Sequence, residues 1–142
     1  IIACNKKTYN DWKKSSFNSE QLRDSLISGE LADPDKDGYS NLLEYSFGGR
    51  ALVKDDNMNP IARIIDREEE YLLFTYRKRV GVSDYNYVIE KSSDLRTWTE
   101  VINPQLDEIS VNEDETNTLS YRILKLNNAA IQNFLRLKVR AK

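Results

Sequence analysis

The sequence predicts an α+β fold, with short helices in residues 1–49 and an antiparallel β-sandwich, immunoglobulin-like or of the jelly-roll type, in residues 61–142. The first observation is a change of pattern: cap and turn residues recur at short intervals before position 50, whereas apolar and polar residues alternate beyond position 60. The second is the lack of a helical segment between the alternating stretches, which favours antiparallel pairing. Residues 50–60 are polar and are predicted to form a linker.

Length and composition limit the possible functions. A chain of 142 residues can bury one hydrophobic core but is short for two, and its 39% hydrophobic and 31% charged residues are typical of a folded globular protein. With a net charge of −2, the chain lacks a basic field, so we expect no nucleic-acid partner. No run approaches the ~20 apolar residues of a membrane span, so we expect none. The absence of histidine excludes Ser-His-Asp triads and imidazole metal sites.

The first four residues, Ile-Ile-Ala-Cys, have the shape of a lipoprotein cleavage site. The positively charged and apolar regions that should precede such a site are not in the sequence, so we expect a fragment of a longer protein rather than a lipidated Cys4. Cys4 is the only cysteine, and it cannot form an internal disulfide.

Two helix starts occur in the first thirty residues. Thr8 can cap a helix, and Asp11 stands three residues later, where it completes a capping box. Asn18 can cap a second helix with Gln21 at its third helical position. Gly29 is predicted to end this helix in the left-handed conformation.

An acidic segment, DPDKDGYSNLLE, follows at residues 33–44. Oxygen-bearing groups stand at its positions 1, 3, 5, 7, 9 and 12, with a backbone carbonyl at position 7 and Gly38 at position 6. This is the spacing of a twelve-residue calcium loop, in which six to eight oxygens surround the cation at ~2.3–2.6 Å. The predicted ligand residues are Asp33, Asp35, Asp37, Tyr39, Asn41 and Glu44.

An ordinary acidic surface turn is the competing interpretation, because Asp, Pro, Gly and Asn are also turn residues. Four carboxylates in one short loop repel one another when no cation lies between them, and this favours the calcium loop. A second such loop could begin at Asp55, but Pro60 stands where glycine is required, and its fixed negative φ prevents that turn. We therefore predict one site, with Ca²⁺ as its cofactor.

Beyond the linker, three segments alternate between apolar and polar residues and are predicted to be half-buried strands. They are residues 72–77, 85–90 and 135–140. Further strands are expected near residues 61–66, 97–103 and 118–126. We expect Trp98 to be the core anchor of the sandwich, with Ile89 and Leu137 also inside.

The acidic loop, with the sequence NLLEY at residues 41–45 and glycines soon after it, resembles the calcium loops of EF-hand, dockerin and thrombospondin type 3 proteins. The incoming helix ends near Gly29, before the loop begins, so the resemblance implies a looser EF-hand-like or dockerin-like variant. Residues 9–49 also resemble a segment near the C-termini of large secreted bacterial proteins, which precedes a β-domain. The features shared with that β-domain are residues 87–90, residues 92–95, Trp98 and residues 134–137.

The resemblance implies a calcium-binding, non-catalytic accessory or structural module of a secreted or cell-surface bacterial protein. Two alternatives stay open. One is a carbohydrate-binding module of an exported glycoside-degrading enzyme, which would bind polysaccharide on exposed aromatic residues. The other is a dockerin-like module that binds another extracellular protein domain.

We expect no enzymatic activity, because the sequence offers no activated nucleophile and no acid-base pair. A further acidic cluster comprises Glu68, Glu69 and Glu70. Consecutive residues of a strand point to opposite faces, so these carboxylates do not form the facing pair that glycoside hydrolysis requires.

Overall fold

The computed structural model describes residues 6–64, 71–124 and 134–142. In this part of the chain, a few short helices precede seven strands in two antiparallel sheets, which confirms the prediction of an α+β fold. The predictions for Cys4 and for the cluster at residues 68–70 concern residues outside these ranges.

Helix α1 (Tyr9–Ser16) begins at the predicted cap. The Thr8 hydroxyl oxygen accepts a hydrogen bond from the Asp11 N–H at 3.2 Å, and the Asp11 carboxylate accepts one from the Thr8 N–H at 3.2 Å. This exchange satisfies two donors that a helix start would otherwise leave unpaired. The capping-box prediction is confirmed.

The second predicted helix is divided into a 3₁₀ turn, Gln21–Arg23, and one short α-helix, α2 (Ser25–Ser28). The predicted hydrogen bond at Asn18 is present, because its Oδ1 accepts from the N–H of Gln21 at 2.9 Å, but the N-cap of the 3₁₀ turn is Glu20 rather than Asn18. The division occurs at Asp24, which has extended backbone angles and accepts a hydrogen bond from the N–H of Leu26 at 2.9 Å. A short polar side chain at this position therefore starts a new turn instead of continuing the old one.

Gly29 ends α2, but the prediction of a left-handed conformation there is wrong. Its φ of −72° and ψ of 157° are extended values that any residue can adopt. Its N–H donates to the Ser25 carbonyl at 3.0 Å, and a Cβ on Gly29 would lie 2.4 Å from that oxygen. Glycine is therefore required at this position because a side chain would clash with the Ser25 carbonyl, and not because the backbone is left-handed.

Helix α3 (Asn41–Phe47) leaves the acidic loop and ends at Gly48. Gly48 has a φ of 83°, the left-handed conformation in which glycine is favoured at the end of a helix. The N–H of Gly49 donates to the Glu44 carbonyl at 2.7 Å. This close turn sends the chain back along the loop.

The four-stranded sheet has the order β1-β2-β6-β5, and the three-stranded sheet has the order β4-β3-β7. The strands are β1 (Ile61–Ile64), β2 (Tyr71–Arg79), β3 (Tyr85–Ser92), β4 (Thr99–Glu100), β5 (Gln105–Val111), β6 (Thr116–Leu124) and β7 (Phe134–Ala141). The three alternating segments lie in β2, β3 and β7, as predicted. The strand expected near residues 97–103 is reduced to the two residues of β4.

Strand β5 was not predicted from the sequence. All seven of its residues are exposed, so burial imposes little apolar-polar alternation on them. A register shift between Leu106 and Glu108 also breaks the period of two within the strand.

Among the described residues, most of the buried hydrophobic side chains belong to two clusters. The first joins the helices to the sheets and comprises Tyr9, Trp12, Phe17, Tyr45, Ala51 and Tyr85. The second takes residues from both sheets and comprises Phe74, Tyr76, Ile89, Leu119 and Ile123. Leu137 is partly buried and packs against the second cluster. The two sheets therefore share apolar contacts, and the helices pack on the β-region through a separate aromatic cluster.

The prediction that Trp98 anchors the core is wrong. Trp98 is only partly buried and belongs to neither cluster. The Arg136 guanidinium lies 4.1 Å from the centroid of its ring. Arg136 alternates along β7 with Leu135 and Leu137, which pack against the core, so the indole lies against the outer face of the sheet.

Candidate metal centre

Main-chain hydrogen bonds close the base of the acidic loop. The N–H of Asn41 donates to the Ala32 carbonyl at 2.8 Å, and the N–H of Leu42 donates to the Glu30 carbonyl at 3.0 Å. Gly38, at position 6, has a φ of 97° and donates its N–H to Asp33 Oδ2 at 3.0 Å. The sharp turn that the spacing requires is therefore present, and glycine provides it.

The loop brings its carboxylates together in two overlapping groups. Carboxylate oxygens of Asp33, Asp35 and Asp37 lie within 4.8 Å of one another. Oxygens of Asp37, Glu44 and Asp55 do the same. Two oxygens bound to one calcium ion can be at most ~5 Å apart, so both groups have a spacing that a single cation could hold.

Several loop oxygens are buried and have no hydrogen-bond partner. These atoms are Asp33 Oδ1, Asp35 Oδ2, Asn41 Oδ1, Glu44 Oε1 and Glu44 Oε2. Nearly all buried polar atoms in native proteins are paired, and an unpaired one costs about 1–3 kcal/mol. Five such atoms from four of the predicted ligand residues fit a bound cation, which would supply the missing partner.

Asn41 stands at position 9, and its side chain is fully buried. Its amide nitrogen donates to the Ile27 and Gly29 carbonyls, each at 2.8 Å. The donor end of the amide is thus satisfied by the end of α2, and the acceptor Oδ1 is left unpaired. The residue ties the incoming chain to the loop while its oxygen stays available for a cation.

Glu44 stands at position 12 on α3 and is fully buried. Burial, with the charges of neighbouring aspartates, raises the pKa of the Glu44 carboxyl to about 8. Burial also raises the pKa of Asp35, and the charges of Asp37 and Asp33 act in the same direction. Each shift records the unfavourable energy of a negative charge at this point, which a divalent cation would offset.

Tyr39, at position 7, is predicted to contribute only its backbone carbonyl. Its side-chain hydroxyl donates to Asn57 Oδ1 at 3.1 Å and accepts from the N–H of Met58 at 2.8 Å. The phenol group thus anchors a neighbouring segment.

Asp55 is the residue of this cluster that the sequence analysis missed. The sequence pattern marks Asp55 only as the first residue of a second loop that Pro60 interrupts. The twelve-residue ligand pattern ends at Glu44, eleven positions before Asp55, so only the acidic side chain of Asp55 indicates that it could be a ligand. The turn at Gly48 and Gly49 reverses the chain and places Asp55 beside Glu44.

Side chains from the sheets hold α3 in place. Arg79 of β2 is buried, and it donates from Nε to the Tyr45 carbonyl at 2.7 Å and from Nη2 to the Gly49 carbonyl at 3.1 Å. The Tyr87 hydroxyl of β3 donates to the Ser46 carbonyl at 2.6 Å. The helix that carries Glu44 is therefore fixed to both sheets.

No protein-family model, curated protein or solved structure matches the chain. Among the helices of the described ranges, none has the length and apolarity to cross a membrane.

Proposed function

We propose that the chain is a calcium-binding, non-catalytic accessory module of a secreted or cell-surface bacterial protein. The observation that carries the calcium assignment is the set of five buried, unpartnered oxygens, all from residues at ligand positions of the loop. The secreted bacterial setting follows from the sequence resemblance of residues 9–49 and of the β-region. In this proposal the fold is an EF-hand-like loop joined to an antiparallel β-sandwich.

The cation would be held by the predicted ligand set: Asp33, Asp35, Asp37, the Tyr39 carbonyl, Asn41 and Glu44. Bound calcium supplies positive charge and a coordination shell, and these would compensate the repulsion among the carboxylates. The other contacts of Asn41 and the attachment of α3 to the sheets would transmit this stabilisation to the rest of the chain. The role is structural.

The carbohydrate-binding alternative gains no support from the aromatic side chains. All fourteen aromatic residues of the sequence lie in the described ranges, and none of them is in an exposed position. Arg136 lies over the ring of the partly buried Trp98. A flat aromatic row open to sugar rings is therefore not among the described features.

The dockerin-like alternative would need an apolar helical surface. Near the loop, the described residues offer it the exposed side chains of Leu26 and Leu31. Two exposed leucines form only a small apolar surface, of a kind common on soluble proteins, and do not indicate a partner. We therefore propose the structural calcium module alone.

Isothermal titration calorimetry of the metal-stripped chain tests this function. We expect one calcium ion to bind per chain, and we expect Glu44→Gln to weaken binding at least about a hundredfold, because it removes the bidentate carboxylate of position 12. Asp56→Asn removes the same charge from an exposed side chain nearby and serves as the matched control. Absence of calcium binding by the wild-type chain, or equal affinities of the two variants, would refute the proposal.

A further inference from the structure

Residues 50–58 fold back along the acidic loop and form hydrogen bonds with two of its residues, Asp37 and Tyr39. The N–H of Asp55 donates to Asp37 Oδ2 at 3.0 Å. The N–H of Met58 donates to the Tyr39 hydroxyl at 2.8 Å, and the Met58 side chain is buried. Both loop residues occupy ligand positions, so this segment is attached to the candidate metal centre itself.

Gly49 makes this close approach possible. A Cβ on Gly49 would lie 2.9 Å from Met58 Cε, 3.0 Å from Asp55 Oδ2 and 3.2 Å from Glu44 Cα. These distances are too short for ordinary carbon contacts. The absence of a side chain thus lets the returning segment pack directly against α3.

The Asp55 carboxylate is held in a defined orientation. One of its oxygens lies within 4.8 Å of oxygens of Asp37 and Glu44. Arg50 donates to Oδ1 from Nε at 3.0 Å and to Oδ2 from its backbone N–H. The Asp55 side chain is only 14% exposed, whereas that of Arg50 is 63% exposed. Arg50 thus approaches from the solvent side and orients the carboxylate at the cluster.

An independent observation points to a ligand between these carboxylates. Glu44 has no exposed surface, and neither of its carboxylate oxygens has a hydrogen-bond partner. No cationic side chain is paired with Glu44 among the ion pairs of the described residues. A group that satisfies Glu44 would lie within reach of Asp55 as well.

We propose that Asp55 is a further ligand of the calcium site, so that the bound cation joins the loop and α3 to residues 50–58. The inference rests on the proposed function and extends the ligand set beyond the twelve-residue loop. A carboxylate oxygen that accepts one hydrogen bond keeps a lone pair for a metal ion, so the contacts with Arg50 are compatible with ligation. Calcium accommodates up to eight oxygens, whereas magnesium requires a near-ideal octahedron, so the added ligand favours calcium.

Two variants that differ by one position test the assignment by calorimetry. Asp55→Asn keeps the size and one of the two acceptor oxygens but removes the charge, and we expect calcium affinity to fall about tenfold or more. Asp56→Asn makes the same charge change on an exposed neighbour, and we expect a change of less than about twofold. Arg50→Gln removes the Nε contact but keeps the backbone N–H that donates to Asp55 Oδ2, so we expect a smaller loss of calcium affinity than for Asp55→Asn.

The outcomes separate this inference from the function on which it rests. If the wild-type chain binds no calcium, the proposed function fails. If the wild-type chain binds calcium and the Asp55 and Asp56 variants bind it equally well, only the role of Asp55 is overturned.

A measurement on the wild-type chain covers the case in which the Asp55 variant does not fold. In a titration with calcium, we expect the side-chain carboxyl ¹³C resonance of Asp55 to shift over the same concentrations as that of Asp33. Hydrogen exchange at the Met58 amide should slow in parallel. An Asp55 resonance that stays constant while that of Asp33 shifts would overturn the assignment.

Discussion

Removal of calcium should lower the thermal stability of the whole chain, not only that of its helical part. Five buried loop oxygens have no hydrogen-bond partner, and at about 1 kcal/mol for each the metal-free loop is destabilised by about 5 kcal/mol. Calcium at a hundred times its Kd stabilises the folded state by about 2.7 kcal/mol, roughly half of this penalty. In a chain of this size, that free energy corresponds to an increase in Tm of roughly 8 °C.

Thermal scans with calcium and with a chelator measure this effect, and amide NMR signals report on α3 and β2 separately. Arg79 of β2 and Tyr87 of β3 hydrogen-bond to main-chain carbonyls at the end of α3. The helix and the strands should therefore unfold in one transition that calcium shifts as a unit. Superimposable scans would refute the stabilisation, and a shift confined to the α3 signals would refute the coupling.

Three further outcomes follow from the geometry. Magnesium should raise the Tm much less than calcium at equal concentration, because it prefers a compact octahedral shell; equal shifts in scans with the two ions would contradict this. Arg79→Met should lower the free energy of unfolding by about 2–4 kcal/mol in denaturant titrations, because the buried carbonyls of Tyr45 and Gly49 lose their donor. The control Arg96→Gln changes an exposed side chain and should leave the free energy of unfolding unchanged. Trp12→Ala should destabilise the chain by about 3–5 kcal/mol, because it leaves a cavity in the first core cluster. Trp98→Ala should have less than half of that effect, because its ring lies outside both clusters. Equal losses of stability would contradict the placement of the two rings.

The sequence predicted those features that depend on local spacing. The capping box at Thr8, the left-handed glycine at position 6 of the loop and the alternating strands each involve residues a few positions apart. Their geometry follows from backbone periods and from the need to satisfy main-chain groups locally. The acidic residues at ligand positions 1, 3 and 5 are brought together in the same way.

The features that were missed depend on contacts between distant segments. Asp55 reaches Glu44 only because Gly48 and Gly49 reverse the chain, and the close approach at Gly49 has no sequence signal. The aromatic side chain of Trp98 predicts a core position, but the alternation along β7 places its neighbour Arg136 on the outer face. Strand β5 carries a register shift and little buried surface, so its pattern is weak.

The attachment of α3 to the sheets gives the proposed calcium site its structural role. Tyr45 of α3 is fully buried in the first core cluster, and its hydroxyl donates to Asp84 Oδ1 at 2.8 Å. Asp84 Oδ2 in turn accepts from the N–H of Tyr9, at the start of α1, at 2.7 Å. One carboxylate at the start of β3 thus connects both helices to the β-region. A change at the loop can reach the sheets through these contacts.

A crystal structure of the chain grown with calcium, with an anomalous difference map, would show whether the loop holds the ion. We expect one anomalous peak inside the loop, ~2.3–2.6 Å from oxygens of Asp33, Asp35, Asp37 and Glu44. A loop without such a peak at saturating calcium, with its buried oxygens paired to protein donors instead, would refute calcium binding at this site.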